Sequence, residues 1–324
     1  MTTVSPAAPV VADRPLLGVL LVIAFCILAP LGDAMGKLLG AMPLGQLLLA
    51  RYAIQAVLLL PLVHAGGRSL ALPPRVWWLT LVRTVLHVIS LGAFFAALRF
   101  LPMADTVAIC FVMPFIILLL DRIGGHRVGA HRLGACAVGF LGTLMVVQPS
   151  FMAVGAPALL PLLVAVLFSF FMLITRTLAK ETDPVTLQAA SGLVATAILA
   201  PLVLLAALLP AAGSPWPELT PVRVAGGEWA LLLLLGLFGT AAHLVITFAL
   251  RFAPSSTLAP MQYLELPFAT LIGWAIFGDL PNGLAALGIA VTVAAGLYVI
   301  HRERRAALAA PAIASGPLDP PPTV

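Results

Sequence analysis

The chain has 324 residues, 62% of them hydrophobic and only 9% charged, with a mean hydropathy of +1.13. Soluble domains carry about 25% charged and about 45–50% apolar residues, so this composition excludes an ordinary water-soluble protein. The apolar runs are continuous, which excludes a transmembrane β-barrel with its alternating strands and polar lumen. The net charge of +5 is spread over short segments, and no folded domain is left to present it to a nucleic acid.

One membrane-spanning helix needs about 20 mostly apolar residues. Proline, glycine and charge divide the chain into ten such segments, at 16–40, 44–64, 77–100, 103–120, 133–148, 158–178, 185–209, 229–250, 254–277 and 283–300. Helices are the expected form, because in lipid every backbone donor and acceptor must be paired within its own segment. The tails 1–14 and 301–324 read as polar or Ala/Pro-rich extensions, disordered over 1–14 and 306–324. Residues 1–15 have no apolar core, and the first apolar run continues past residue 35, too long for a cleaved leader. Cys26, Cys110 and Cys136 all fall in apolar stretches without metal-ligand spacing and read as packing residues. No metal or cofactor is expected.

Lys and Arg fix the orientation. Arg14, Arg68, Arg75, Arg122, Arg127, Arg132, Arg176, Lys180, Arg251, Arg302, Arg304 and Arg305 fall on one side. Arg99 and Arg223 fall on the other, and Lys37, Arg51 and Arg83 lie within spans. Both termini are therefore expected in the cytoplasm of a bacterial cell, with the chain in the inner membrane. Trp77, Trp78, Trp229, Trp274 and Tyr298 sit near span ends, where amphipathic rings prefer the interface.

The segment Ala97-Leu98-Arg99-Phe100 at the end of span 3 recurs as Ala249-Leu250-Arg251-Phe252 at the end of span 8, and Pro102 and Pro254 follow each. Pro114 is answered by Pro267, Leu133-Gly134 by Leu287-Gly288, and Gly142 by Gly296. The unit holds five spans, and an odd number inverts the second copy in the membrane. The expected fold is therefore all-α, ten helices in a 5+5 inverted repeat over 16–148 and 158–300, around a central cavity. Inverted halves enclosing a midplane site are the architecture of secondary transporters.

The same residues carry a family resemblance over about 16–303. Ala50-Arg51-Tyr52, Phe94 through Asp105, Val138-Gly139-Phe140-Leu141-Gly142, and Ala253-Pro254 through Glu265 resemble EamA-type members of the drug/metabolite transporter superfamily. The family's Gly-Glu pair after spans 4 and 9 is matched by Gly278-Asp279 but reads Gly125-His126 in the first copy. The resemblance implies that spans 1, 3, 4, 6, 8 and 9 surround the cavity, and that the cargo is a small organic metabolite.

Ionisable residues inside the membrane cost about 2.5–3.5 kcal/mol on insertion scales and mark cavities or partners. Asp33 and Arg51 lie at similar depth on spans 1 and 2, placed for an ion pair or a charged rim for substrate. Lys37, four residues after Asp33, is close enough to the interface to snorkel. Arg83 and His87 share a face of span 3, and an imidazole at the midplane is suited to carry a proton. His243, with Thr240 and Thr247, faces the same region from span 8. Gln262, Tyr263 and Glu265 lie mid-span just before Pro267, and Glu265 is the one carboxylate at the bilayer centre. The substrate-binding candidates are thus Asp33, Arg51, Arg83, His87, His243, Gln262, Tyr263 and Glu265, with Glu265 and His87 as proton-coupling candidates. Pro30, Pro114 and Pro267 each free a carbonyl, and the glycines of spans 5 and 10 read as close-packing positions.

Arg51 and Arg83 favour a carboxylated solute such as an amino acid. A flavin of the riboflavin type is the alternative, stacked on Tyr263, Phe94, Phe95 and Phe111. The chain has no phosphate-binding Gly-rich loop, so energy is expected from a solute or proton gradient, or transport is simply facilitated. Two other classes were weighed. A lipid-modifying membrane enzyme would have to use Asp121, His126 and His131, whose spacing fits no metal motif. A receptor would add a signalling domain that the length leaves no room for. Beyond the solute and the lipid bilayer, a homodimer is the candidate assembly.

Overall fold

The computed structural model describes residues 15–123, 130–208, 215–252 and 258–309, and every regular element among them is helical. The helices are α1 (Pro15–Leu38), α2 (Leu44–Ala65), α3 (Pro74–Leu98), α4 (Met103–Cys110), α5 (Met113–Ile123) and α6 (Ala130–Val154). They continue as α7 (Leu160–Glu181), α8 (Pro184–Ala207), α9 (Gly226–Phe252), a 3-10 turn Ala259–Leu264, α10 (Glu265–Phe277) and α11 (Gly283–Ala309). Eight stretches are long and apolar enough to cross a membrane, α4 and α5 counting together as Met103–Leu120. The protein is therefore an all-α membrane protein. The apolar part of α11, Gly283–Tyr298, and the 13-residue α10 fall short of that length.

Proline starts several of these helices where an unpaired N–H would otherwise stand. Pro74 and Pro184 open α3 and α8, and Asp183 caps α8 by accepting from the Thr186 amide at 3.1 Å. Two expected spans are broken. Span 4 divides at Phe111–Val112, whose amides bond three residues back to Ala108 and Ile109. Pro114 follows and removes the donor that the Cys110 carbonyl would otherwise meet. The described part of span 9 holds a 3-10 turn, Ala259–Leu264, before the α-helix that starts at Glu265. The last helix runs to Ala309, nine residues beyond the expected end of its span, so the C-terminal tail begins later than 301. The tail residues 1–14 and 310–324 and the segment 124–129, with His126, lie outside the described residues, as do 253–257. No side-chain placement is described for Asp121, His131 or Cys136.

The most extensive helix pairings are α1 with α9, α3 with α7, α2 with α8, and α6 with α11. The last is a small-residue interface. Gly142 and Gly288 face each other so closely that a Cβ on Gly288 would stand 2.5 Å from the Gly142 carbonyl oxygen. Such contact is how helices associate where lipid gives no hydrophobic drive.

The connections gather at two ends. At the end near Pro43, residues 215–225 form a strap across the start of α2. The Gly45 amide donates to the Glu218 carbonyl at 2.7 Å, and the Leu44 amide donates to the Glu218 carboxylate at 3.0 Å. Arg99 donates to the same carboxylate at 2.8 Å. Gln46 and Val222 exchange two hydrogen bonds, at 3.0 and 2.8 Å. Partial burial opposes ionisation of Glu218, but the Leu44 amide and the Arg99 guanidinium outweigh it and hold its carboxyl below the ordinary value. At the same end Gly278, with φ +70°, turns the chain after α10. This left-handed cap delivers Asp279 to Lys37, which also reaches the Leu101 carbonyl at 3.4 Å and lies over the Phe277 ring. Lys37 was expected to snorkel free; it is tied by an ion pair because the Gly-Asp turn lands beside it. At the opposite end Arg75 pairs with Glu181 at 2.5 Å and Arg68 with Asp183 at 3.0 Å.

Candidate functional site

A cavity of about 110 Å³ lies inside the bundle. Its walls come from α1, α3, α4, α5, α7, α9 and the 259–265 stretch, with Arg51 reaching in from α2. The expected set of spans 1, 3, 4, 6, 8 and 9 thus meets around it. Both helix breaks open onto the cavity, through Phe111 and Met113 on one side and Gln262 and Glu265 on the other.

The lining includes five aromatic rings, Phe25, Phe94, Phe95, Phe111 and Phe168, and Phe25 and Phe168 lie against the two histidines. Polar candidates stand among them. Asp33, Arg51, His87, His243, Gln262 and Glu265 all line the cavity, joined by Ser90. Arg83 and Tyr263 are not among the lining residues. Tyr263 instead lies against Gly296 of α11, where its ring fills the space a side chain would take, and Phe111 packs on it at 5.0 Å. Arg83 is 1% exposed beyond the cavity.

His87 and His243 form the floor. Their rings meet edge to face at 4.3 Å, and His87 stacks on Phe171 at 4.4 Å. Tyr52 holds His87 through a 2.8 Å hydrogen bond to Nδ1. The backbone of His243 is fixed by Gln188, which donates to its carbonyl at 3.0 Å and to the Thr247 hydroxyl at 2.5 Å. Gln55 donates in turn to the Gln188 carbonyl at 2.7 Å. Gln55, Gln188 and Phe171 carry no sequence motif, and Tyr52 was marked only as part of Ala50-Arg51-Tyr52. The signal for the two glutamines was present, since each is a polar side chain inside an apolar span, where it must find a partner.

Asp33 and Arg51 line the same cavity, but no ion pair joins them among the described residues. They are not in direct contact, but each lies within reach of the other's charge, the arrangement of a charged rim. The Arg51 guanidinium packs over the Tyr52 ring at 5.5 Å and against Gly239, where a Cβ would stand 2.6 Å from Nε. Four polar atoms of the lining are buried without a hydrogen-bond partner: Arg51 Nη1, His87 Nε2, His243 Nδ1 and Gln262 Oε1. Buried polar groups are almost always paired, so each such exception needs a reason. Four of them around one cavity fit a surface built to meet a polar solute. No group of three or more His, Cys, Asp or Glu suited to a metal occurs among the described residues.

Comparison with known proteins agrees with this architecture. A solved crystal structure, 20% identical, superposes with a TM-score of 0.65 over 90% of this chain and 98% of that one, which shows a shared fold. The chain is 24% identical over 276 residues to an S-adenosylmethionine uptake transporter of Rickettsia felis, covering 85% of this chain and 89% of that protein. It is 26% identical over 265 residues to the pseudopaline exporter CntI of Pseudomonas aeruginosa, covering 81% and 88%. It is 32% identical over 229 residues to a riboflavin transporter of Rhizobium johnstonii, covering 70% and 72%. The profile described as EamA-like transporter family matches residues 156–301. With its helical bundle, its cavity and these relatives, the chain belongs to the EamA-like transporter family of the drug/metabolite transporter superfamily and is a multi-pass small-molecule transporter.

Proposed function

We propose that the protein is a secondary transporter of the bacterial inner membrane, moving a small organic metabolite through the central cavity by alternating access. The observation that carries this reading is the cavity itself, whose lining combines aromatic rings with four unpartnered polar atoms. In this reading there are ten crossings, the 259–277 and 283–298 stretches being the last two, with both termini cytoplasmic and two inverted halves, 16–148 and 158–300.

The helix pairings support that symmetry. If the halves are exchanged, α1 against α9 becomes α7 against α3, while α2 with α8 and α6 with α11 map onto themselves, and these are the four dominant pairs. The breaks correspond as well: α5 begins at Met113 and α10 at Glu265, at the same offset as the Ala-Leu-Arg-Phe repeat. Each half also ends its first helix on a cation that reaches a carbonyl near the end of the third, Lys37 to Leu101 and Arg176 to Leu250.

The lining suits a solute that joins a flat or apolar part to a charged head. Aromatic amino acids and flavins both answer that description, and three of the relatives are named riboflavin transporters. Glu265 and His87 are the candidate proton sites, since both are titratable and both line the cavity. Uptake of labelled amino acids, opines and flavins into proteoliposomes, with and without a pH gradient, tests the reading. A saturable flux that Ser90→Trp blocks is the expected result. Flux of every solute equal to that of empty vesicles would overturn it.

A further inference from the structure

The cavity uses α3 only from His87 to Phe95, yet the polar face of α3 does not stop there. Thr80, Arg83, Thr84, His87 and Ser90 fall within about one third of the helix circumference at 3.6 residues per turn. The lower three lie toward the Arg75 end, up to about 10 Å beyond His87 at 1.5 Å per residue. All three are buried, at 0%, 1% and 1% exposure. Arg83 donates to the Thr175 hydroxyl at 2.7 Å and to the Ser191 hydroxyl at 2.5 Å. Its Nη2, the Thr80 hydroxyl and the Thr84 hydroxyl have no partner, and no carboxylate pairs with it among the described residues.

This polarity is not demanded by the fold. At the offset of the internal repeat, the corresponding positions of α9 are Leu232, Leu235, Gly236, Gly239 and Ala242. The second half builds the same helix with no polar side chain at any of them. A buried guanidinium without a counter-charge is costly, and its retention in one half alone calls for an anion that arrives and leaves. The Phe171 ring joins the two compartments: His87 stacks on it at 4.4 Å, and the Arg83 guanidinium lies 4.6 Å from its centroid.

We propose that Thr80, Arg83 and Thr84 form a second station on the solute pathway, beyond Phe171, which receives a carboxylate or phosphate group of the transported solute. The station rests on the transport reading above and adds to it a charge preference and a route along α3 toward the Arg75 end. In the conformation described here Thr175 and Ser191 occupy two guanidinium donors. Opening of α3 from α7 and α8 frees them for the arriving anion, so the same contacts close the path when it is empty.

The test needs no known substrate. In the full chain with Cys26, Cys110 and Cys136 replaced by alanine, Thr84→Cys and Ser90→Cys are reconstituted in vesicles. Each is treated from either side with an anionic sulfonatoethyl or a cationic trimethylammonioethyl methanethiosulfonate. Rates are taken relative to those with a free thiol. The expected result is that Thr84→Cys reacts from the Arg75 end and prefers the anionic reagent by at least about tenfold, the effect of a nearby unit charge. Arg83→Lys keeps that preference and Arg83→Gln removes it. Equal rates, a cationic preference, or an inert Thr84→Cys beside a reactive Ser90→Cys would overturn the station and leave the transport reading standing. If neither cysteine reacts from either side, both readings fall together.

Discussion

Gly288→Ala isolates the contact that holds α6 against α11. The added Cβ would stand 2.5 Å from the Gly142 oxygen, 2.9 Å from Val146 Cγ2 and 3.0 Å from Met145 Cβ. Two of the three are fixed to the main chain, so no side-chain rotation relieves them. Ordinary contact begins near 3.4 Å, so the helices must part by roughly 0.9 Å, a gap that forfeits a quarter to a half of each dispersion contact across the seam. Overpacking of this kind costs about 1–3 kcal/mol, and the better helix propensity of alanine returns up to about 1 kcal/mol. A net loss of about 1 kcal/mol lowers Tm by about 2–4 °C, at the 2–4 °C per kcal/mol of domains of 150–250 residues. Thermal unfolding in detergent, followed by a thiol-reactive dye that reports exposure of the buried Cys26, reads the shift. Gly134→Ala in α6 is the control, because its Cβ meets nothing within 4 Å, and it is expected to hold or raise Tm. A Gly288→Ala protein whose Tm rises by about 2–4 °C, the full propensity gain with no packing cost against it, would refute the close-packed seam.

Three further outcomes are expected. Lys37→Ala and Asp279→Asn each lower Tm, and their double-mutant cycle gives a coupling above the roughly 0.2–1 kcal/mol of exposed pairs, because the side chains are only 16% and 29% exposed. Glu265→Gln leaves Tm and solute exchange intact but removes uphill uptake driven by a pH gradient; unchanged concentrative uptake would return Glu265 to a packing role. The strap loosens in acid: the Glu218 carboxyl is held below its ordinary value, so its hold is complete above that value and is lost as pH falls through the depressed one. Hydrogen exchange at the Leu44 and Val222 amides should therefore rise steeply only below about pH 4, the ordinary carboxylate range. Glu218→Gln should show raised exchange already at pH 7, and equal protection in both proteins would contradict the assignment.

The helices were legible because lipid permits little else: every regular element among the described residues is helical, although span 4 is broken at Phe111–Val112 and α6 and α11 run past their expected ends. The residues of the cavity were legible for the same reason: Asp33, Arg51, His87, His243, Gln262 and Glu265 are polar where polarity is expensive. What the sequence withheld is pairing. Depth along a helix brought Asp33 and Arg51 level, but azimuth decides contact, and Arg51 turns to Tyr52 and Gly239 instead. Lys37 found its partner 242 residues away in a turn whose direction is set by a left-handed glycine. Gln188 looked like one polar residue in an apolar helix; only the packing of α8 on α9 shows that it fixes the backbone of His243.

The interrupted helices have a consequence for how this cavity will respond to mutation. Cys110, which lines the cavity, precedes Pro114 by four residues, so its carbonyl oxygen lacks the usual helical donor. At the α4–α5 break the Phe111 and Val112 amides have shifted to three-residue bonds. This polarity belongs to the main chain, which side-chain substitution does not erase. Alanine scanning of the lining will therefore understate how polar the site is to a solute. Substituting Pro114 or Pro267, which restores an amide and lets the helix close, should change solute preference more than removal of any single lining hydroxyl.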